Sequence, residues 1–540
     1  MADTSAFEKR NTILAVVIAV LHWILCVAFE IDRGFFEYDS KTPFWYLIKL
    51  LTLVFLISFW GLFFHIAKKI KEKNMDYLRG LQLFIPYFLF LLVTIIIVWP
   101  GAWSGDDAEN LLIERVYGLT AWHNILTGIF HDILLQILPF PGGIILIQNL
   151  LIAIAVSFVI VRLEKHFPYF LSNRITDTIV KLLPFILPPV LFFQLGGFRI
   201  GVYIYLELVF LIVWFDYLNM KEDTVIHIRQ IIGFMLLTVL VSVWRSESIV
   251  YIPLVALSVL IKKDHFKILQ KLVFVFVMFV LFYSLSKFQS MALGDGSYKI
   301  TSIISPCSNL IWCSDNNADK DLLYELDKGI NVENVLEHKD ASSHDLIWNY
   351  KVIRKGRSDE DYTACIIAFV KLSLRYPYVV FIERLKLFAR SINVSYNNPL
   401  TFHVEFANNL LNQDNDGYLG GLSQRIRDAG FIYMRPILPN IRRSFFNLLL
   451  FKINGEVNKP LYTLFWCCLA PILALFLAFC LFLKNKTWSI VTILFTVLGR
   501  MAIVILTQPT RTIMYFLPFY LTGYIIIIWW ITEKASKMHH

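Results

Sequence analysis

The sequence predicts an all-α polytopic membrane protein with about twelve transmembrane helices, interfacial helices and an extracytoplasmic domain of mixed helix and loop. Two observations predict this class. The chain of 540 residues is 57% hydrophobic, well above the roughly 45–50% apolar content of soluble domains. Its mean hydropathy is +0.61, and its apolar residues fall into runs of about 20, the length that a helix needs to cross a bilayer.

The apolar runs give the positions of the predicted spans. They lie near residues 11–29, 44–67, 80–99, 143–161, 179–196, 200–217, 230–245, 248–261, 272–290, 460–483, 487–507 and 511–531. Charge orients the loops, because Lys and Arg gather on the cytoplasmic side. The basic loop 68–79 is therefore predicted inside and the acid-rich loop 30–43 outside. Both termini are then cytoplasmic, and the protein is a multi-pass protein of the cell membrane.

The net charge of +9 follows from the same rule, because the excess Lys and Arg lie in the loops predicted to be cytoplasmic. The charge is therefore not a sign of nucleic-acid binding, and membrane lipids are the expected surroundings. No nucleic-acid partner is predicted.

Three regions follow from the distribution of the spans. Residues 1–290 form an N-terminal transmembrane module with the extracytoplasmic loop 100–142. Residues 291–459, where apolar spans stop and charge rises, form an extracytoplasmic domain, which is long enough for its own core. Residues 460–540 form the C-terminal transmembrane helices. Within the middle region, basic and aromatic residues alternate over 375–390, which suits a helix on the membrane surface.

One apolar segment is not predicted to cross the membrane. Over residues 122–138, apolar side chains repeat at helical spacing on one side, and polar side chains that include His131 and Asp132 occupy the other. This pattern predicts an amphipathic helix in the membrane interface.

Two of the seven cysteines, Cys307 and Cys313, fall in the predicted extracytoplasmic domain. An oxidising compartment permits a disulfide between them. Free thiols are equally compatible with the sequence.

The stretch that carries candidate chemistry is Trp99-Pro-Gly-Ala-Trp-Ser-Gly-Asp-Asp-Ala-Glu-Asn110, just after a predicted span. A helix that begins after Ser104 places Asp106, Glu109 and Asn110 on one face and turns Asp107 roughly 100° away. Acids in a first turn stabilise a helix, so capping is one interpretation. Carboxylates are costly at a membrane interface, so a use in catalysis is the other.

At these residues the chain resembles the GT-C superfamily of integral-membrane glycosyltransferases, near the bacterial members related to protein O-mannosyltransferases. The resemblance lies in a span that ends in Pro-Gly, a Ser-x-Asp-x-x-x-Asn stretch, an aromatic-His pair and a later span that opens with Gln148. It implies that Asp106 is the catalytic Asp, Asn110 the downstream amide and His123 a substrate-positioning residue. Asn124 stands where the family usually has Pro.

The resemblance extends to outer span ends. Arg245 and Glu247 match the family's Arg-Glu pair, and Arg511 and Tyr515 match its Arg-Tyr pair. Arg199 stands where the family has Lys-Asp, so the positive charge is kept. One interpretation of the three arginines is that they bind a lipid phosphate, because the planar guanidinium fork suits phosphate oxygens. The other is that each anchors its span end at the membrane interface.

The implied reaction moves a sugar from a polyprenyl-phosphate-linked donor, such as an undecaprenyl carrier, to an extracytoplasmic acceptor. The acceptor is a cell-envelope polysaccharide, a teichoic acid, a lipid or a protein. Asp106 would act as the general base on the acceptor hydroxyl, and Asp107 and Glu109 would position it. The sequence requires no cofactor, although the three carboxylates could hold Mg²⁺ or Mn²⁺.

Two other classes stay open. A multi-span secondary transporter would place its ionisable residues at mid-membrane, whereas here Arg and acidic residues cluster at span ends, with Glu207 and Asp216 as exceptions. A polysaccharide polymerase or ligase would use polyprenyl-linked substrates at the same face.

Overall fold

The computed structural model describes residues 2–28, 43–114, 120, 124–222, 224, 227–263, 266–294, 296–315, 317–394, 404–405, 407–409, 421–422, 424–425 and 435–538. Of the predicted site residues, His123 lies outside the described residues. The other nine lie inside them.

The first part of the chain is built from helices that follow the apolar runs. They are α1 (Ala2–Trp23), α2 (Pro43–Lys71), α3 (Met75–Val98), α4 (Gly105–Glu114), α5 (Ile125–Ile137), α6 (Pro141–His166), α7 (Arg174–Leu182), α8 (Pro188–Gln194), α9 (Arg199–Asn219), α10 (Ile228–Trp244), α11 (Tyr251–Ile261) and α12 (Ile268–Leu293). Pro188 lacks an N–H and so begins a new helix rather than continuing the preceding turn.

The rest of the described chain is also mainly helical. It contains α13 (Ile304–Cys313), α14 (Lys320–Asp327), α15 (Val332–Glu337), α16 (Ser343–Trp348), α17 (Asp359–Arg375), α18 (Pro377–Ser391), α19 (Pro439–Leu449), β1 (Lys452–Ile453), β2 (Glu456–Val457), α20 (Lys459–Trp466), α21 (Leu469–Lys484), α22 (Trp488–Thr507) and α23 (Leu517–Met538). The two short strands pair antiparallel.

Seven helical segments of the described chain are long and apolar enough to cross a membrane, and up to nine if each of two bent pairs counts as one span. This confirms a polytopic, all-α membrane protein, whereas the count of twelve stays a prediction. The predicted span 179–196 is one of the bent pairs: its halves, Arg174–Ile186 and Pro188–Gln194, meet at 68°.

The described chain has two hydrophobic cores. The larger one joins the helices from α2 to α12 with those from α19 to α23. The smaller one lies within residues 300–372 and includes Ile304, Leu310 and Leu372. The middle region therefore has a core of its own, as its length suggests.

The loops gather at two ends of the helix bundle. At one end, Ala102 N donates to Leu195 O at 2.7 Å, and Ile125 N donates to Gln289 Oε1 at 2.8 Å. We call this the acidic-loop end. The ends lie about 36 Å apart, because α3 has 24 residues and each residue rises 1.5 Å.

The opposite end carries a buried network of four charges. Arg79 donates to Glu164 and, at 2.7 Å, to Asp177, and Lys181 Nζ lies 2.9 Å from each of the same two carboxylates. Two cations therefore face two carboxylates, and the network is balanced.

The amphipathic helix predicted over 122–138 begins at Ile125, but its polar side is not turned to water. Thr127, His131, Asp132 and Gln136 are all buried, and Trp244 Nε1 donates to Thr127 Oγ1 at 3.0 Å. The prediction of a polar face at the interface is therefore wrong, because α4 and the end of α10 supply polar partners inside the protein.

Cys307 and Cys313 are both free thiols. Cys307 is buried in the smaller core and Cys313 is exposed at the end of α13. Residues six apart on a helix point to different sides, so the two sulfurs cannot meet.

Candidate functional site

The acidic loop between α3 and α4 has a fixed path across the start of α9. Besides the bond from Ala102 to Leu195, Trp103 Nε1 donates to Pro100 O at 3.0 Å. Gly101 has φ +124°, and a Cβ there would lie 2.7 Å from Ile145 Cγ1. Only glycine fits this backbone and this space.

Arg442 of α19 holds the same loop from the other side. Its guanidinium donates to Val98 O at 3.2 Å and to Gly101 O at 3.2 Å. It also donates to Ala407 O at 2.8 Å and Asn408 O at 3.3 Å. Burial lowers the pKa of Arg442 to about 10. The side chain thus ties the acidic loop to the segment that precedes α19.

Asp107 is a capping residue in this fold. The side chain is fully buried. Ser104 N donates to Oδ1 at 2.8 Å, and Gly197 N donates to Oδ2 at 3.2 Å. The first contact is half of a capping box, with the acid three residues after the N-cap. Burial raises the pKa of Asp107 well above its usual range, and the Ser104 N–H offsets part of that rise.

The other acids of α4 have different surroundings. Asp106 is exposed, and Glu109 is half-buried and accepts from Arg425 Nη2 at 2.5 Å. Asn110, predicted on the same face, is instead buried, and its Nδ2 has no hydrogen-bond partner among the described residues. Of the three acids, Asp106 is therefore the one most open to solvent.

We expect Asp107→Ala to lower the free energy of unfolding by roughly 2 kcal/mol, because it leaves two buried N–H groups without an acceptor. Thermal unfolding in detergent would measure the loss. Asp106→Ala, at an exposed neighbour, is the matched control and should change stability by less than about 0.5 kcal/mol. Equal losses in the two variants would contradict the capping role.

A second buried polar cluster joins α4 to α5. His131 Nδ1 lies 3.1 Å from Glu114 Oε2, and the Trp103 ring stands edge-on to His131 at 6.2 Å. Burial, and then the Glu114 charge, raise the pKa of Asp132 well above its usual range. Among the described residues, His131 therefore lies against the acidic loop through the Trp103 ring.

Arg245 follows α10 at the acidic-loop end and is 1% exposed. Its Nε donates to Glu247 Oε1 at 2.6 Å, and its guanidinium carbon lies 5.3 Å from the centre of the Tyr515 ring. Its Nη1 has no hydrogen-bond partner among the described residues. The two matched pairs of the resemblance, Arg-Glu and Arg-Tyr, therefore contribute to one cluster through Arg245, Glu247 and Tyr515.

Arg500 of α22 extends this cluster into the bundle. Its Nη1 donates to both oxygens of Glu207 at 2.8 Å, and its Nη2 lies 3.6 Å from Glu247 Oε1. The Tyr203 ring lies 4.9 Å from its guanidinium carbon. Glu207 is eight residues into α9, so this contact lies about 12 Å below the acidic-loop end.

Arg199 and Arg511 occupy the edge of the cluster. Arg199 begins α9, is partly exposed and hydrogen-bonds to Tyr298, with Glu247 and Tyr515 near enough for electrostatic interaction. Arg511 is also partly exposed and lies near Arg390 and Asp345. A single pocket that holds Arg245, Arg511 and Asp106 together stays a prediction.

Arg500, like Arg442, is a charged residue that the sequence predictions missed. It stands within the predicted span 487–507, in an otherwise apolar run. A lone ionisable residue in such a run is a functional candidate. Glu207, the acid already noted at mid-span, is its partner.

No group of three or more His, Cys, Asp or Glu residues in the described part of the chain is arranged to hold a metal ion. Asp107 and Glu109 already have N–H and guanidinium partners. Binding of Mg²⁺ or Mn²⁺ by the acidic loop stays a prediction.

Comparison of the chain with protein-family models, with curated proteins and with solved structures found no match. The cluster of Arg245, Glu247, Arg500 and Glu207, which begins at the acidic-loop end and extends into the bundle, is therefore interpreted from its own chemistry.

Proposed function

We propose that this protein is a membrane glycosyltransferase of the GT-C type, which moves a sugar from a polyprenyl-phosphate-linked donor to an acceptor hydroxyl at the acidic-loop end. The acceptor is a cell-envelope polysaccharide, a teichoic acid, a lipid or a protein.

The observation that carries the proposal is the unsatisfied guanidinium of Arg245. Its side chain is 1% exposed, and its Nη1 has no hydrogen-bond partner among the described residues. A buried donor without an acceptor is costly. The two buried arginines, Arg245 and Arg500, face two carboxylates, and the partly exposed Arg199 at the edge of the cluster adds a third positive charge. A phosphate bound at Arg245 Nη1 would accept its N–H bond and offset this third charge.

The acidic loop supplies the general base for the proposed reaction. Asp106 is exposed in the first turn of α4, and Asp107 fixes that turn against Gly197, two residues before Arg199. In the proposed step, Asp106 takes the proton of the acceptor hydroxyl and the acceptor oxygen bonds to the anomeric carbon of the sugar. The bond from that carbon to the phosphate oxygen breaks, and polyprenyl phosphate leaves as an anion that needs no proton.

One observation favours a secondary transporter as the alternative. Arg500 and Glu207 pair about 12 Å below the acidic-loop end, and ionisable pairs inside a bundle mark ion pathways in transporters. Proton or solute flux in proteoliposomes that carry no lipid-linked sugar would support that class instead.

Mass spectrometry of cell-envelope glycans from cells with and without the protein tests the proposal. We expect one glycan, lipid or protein modification to lose a single type of sugar when the protein is absent. The purified protein in nanodiscs should then release polyprenyl phosphate from the matching donor only when the acceptor is present. Unchanged glycans, together with no release from any donor tested, would contradict the proposal.

We expect Arg245→Ala to weaken donor binding roughly thirtyfold, about 2 kcal/mol, because a charge-assisted contact to a buried phosphate is lost. Arg245→Lys should recover only part of this, since an ammonium cannot supply the planar fork. Equilibrium binding of a polyprenyl-phosphate sugar in nanodiscs measures both variants. Arg162→Ala, at the opposite end, is the control, and an equal loss there would point to a general effect on the protein.

A further inference from the structure

Helix α18 exposes an apolar stripe that no described part of the protein covers. Tyr378, Phe381 and Leu385 are spaced three and four residues apart, so they lie on one side of the helix. Tyr378 and Phe381 are 73% and 64% exposed. A stripe of this kind at helical spacing is typical of a helix that rests on an apolar surface.

The side of α18 next to the stripe is attached to the helix bundle. Arg384 is buried and donates to Gln508 O at 2.8 Å and Ser302 O at 2.6 Å. The Phe388 ring lies 5.3 Å from that of Phe516. The stripe therefore has a fixed orientation relative to the membrane-spanning helices.

The anchoring contacts set the depth of α18 in the membrane. Gln508 directly follows α22, one of the span-length helices, at the acidic-loop end. Cys468 N donates to Ile392 O at 2.9 Å. Cys468 is nine residues into the candidate span Lys459–Lys484, roughly 13 Å below its start. Arg384 lies among the residues of the stripe, so the stripe is at the level where the span-length helix α22 ends, and only the C-terminal end of α18 reaches a level inside the candidate span. The end of a span is the level at which a membrane surface is expected.

The exposed charges of α18 indicate which lipid suits this helix. Lys386 and Arg390 are exposed on α18, and Arg390 lies near Arg511. Two acids are close: Glu383 accepts from Ser305 Oγ at 2.7 Å, and Asp345 lies near Arg511. Cations next to an apolar stripe at a bilayer surface attract anionic headgroups.

We propose that α18 is a lipid-docking helix, whose Tyr378–Phe381–Leu385 stripe inserts into the leaflet at the acidic-loop end and whose Lys386 and Arg390 bind anionic phospholipid headgroups. The partner is a phospholipid of the surrounding bilayer, and the contact holds the domain with the smaller core at the membrane surface. This inference does not depend on the proposed transfer reaction.

Fluorescence quenching on the full chain in proteoliposomes tests the docking. A dansyl-bearing amino acid replaces Phe381, and the matched control carries the same residue at Tyr324, which is 69% exposed on α14. Brominated phosphatidylcholine should quench the probe at 381 and not at 324, whereas aqueous iodide should do the reverse. Equal iodide quenching at both positions would overturn the docking. Protection at 381 from both quenchers would also overturn it, because a protein would then cover the stripe.

The same probe tests the headgroup preference. At equal mole fraction, brominated phosphatidylglycerol should occupy the site more than brominated phosphatidylcholine, by roughly fivefold for each cation. The Lys386→Gln/Arg390→Gln variant should remove this preference while bromolipid quenching itself persists. Equal quenching by the two lipids in the unsubstituted helix would overturn the anionic preference. Neither measurement uses turnover, so lipid docking can be tested even if the protein does not catalyse the proposed reaction.

Discussion

Arg500→Met is expected to lower the free energy of unfolding by about 3–5 kcal/mol, because it leaves the buried Glu207 carboxylate without its cationic partner. In the folded protein, Arg500 Nη1 donates to both oxygens of Glu207 at 2.8 Å, and neither side chain is exposed to water by more than 4%. Methionine fills much of the same volume but supplies no charge and no donor. Thermal and denaturant unfolding of the detergent-solubilised protein would measure the loss.

Two controls separate this effect from a general cost of altering an arginine. The double variant Arg500→Met/Glu207→Gln removes both charges and keeps an acceptor for Tyr251, which donates to Glu207, so most of the stability should return. Arg162→Met removes a half-exposed partner of Asp216 and should cost less than about 1 kcal/mol. If Arg500→Met and Arg162→Met lost the same amount, the buried pair would not be an important source of stability.

The elements of the fold could largely be predicted from local pattern. Hydropathy gives a span over 200–217, and the structure has α9 over Arg199–Asn219. Ser104 before an acidic turn predicts a helix start, and α4 begins at Gly105. The bend between α7 and α8 is harder to predict from the sequence, because the apolar composition of 179–196 suits a straight helix and a broken one equally. Proline at 188 was the available signal.

The contacts of the candidate site could not be predicted in the same way. Gly197 lies 90 residues from the carboxylate it donates to, and Arg500 lies 293 residues from Glu207. Periodicity describes which side of a helix is apolar, but it does not say which distant group will satisfy a polar one. The sequence therefore indicated Asp107 as one of three similar acids. Its spacing of three residues after Ser104 suits the capping contact, but the second bond, from the Gly197 N–H, could not be predicted from local pattern.

Asp106→Asn is expected to reduce turnover a hundredfold or more, the usual scale for loss of a positioned general base. Asn keeps the size of Asp and remains compatible with the first turn of α4, but its amide cannot take the proton of an acceptor hydroxyl. Donor binding should stay near its original value, because the phosphate is expected to bind at Arg245. Single-turnover release of polyprenyl phosphate from the donor, measured with saturating acceptor, reports the chemical step separately from binding.

Glu109→Gln is the matched control, because it removes a carboxylate from the same helix one turn away, where Arg425 is already a partner. We expect it to retain most of the turnover. Asp107→Asn should act mainly through stability, since both of its carboxylate oxygens accept backbone N–H groups, so turnover per folded molecule should fall less than in Asp106→Asn. Near-normal transfer by Asp106→Asn together with an inactive, fully folded Asp107→Asn would assign the base to Asp107. The Asp107 carboxylate is fully buried, with Oδ1 accepting from Ser104 N and Oδ2 from Gly197 N, so the loop would then have to open to admit an acceptor hydroxyl.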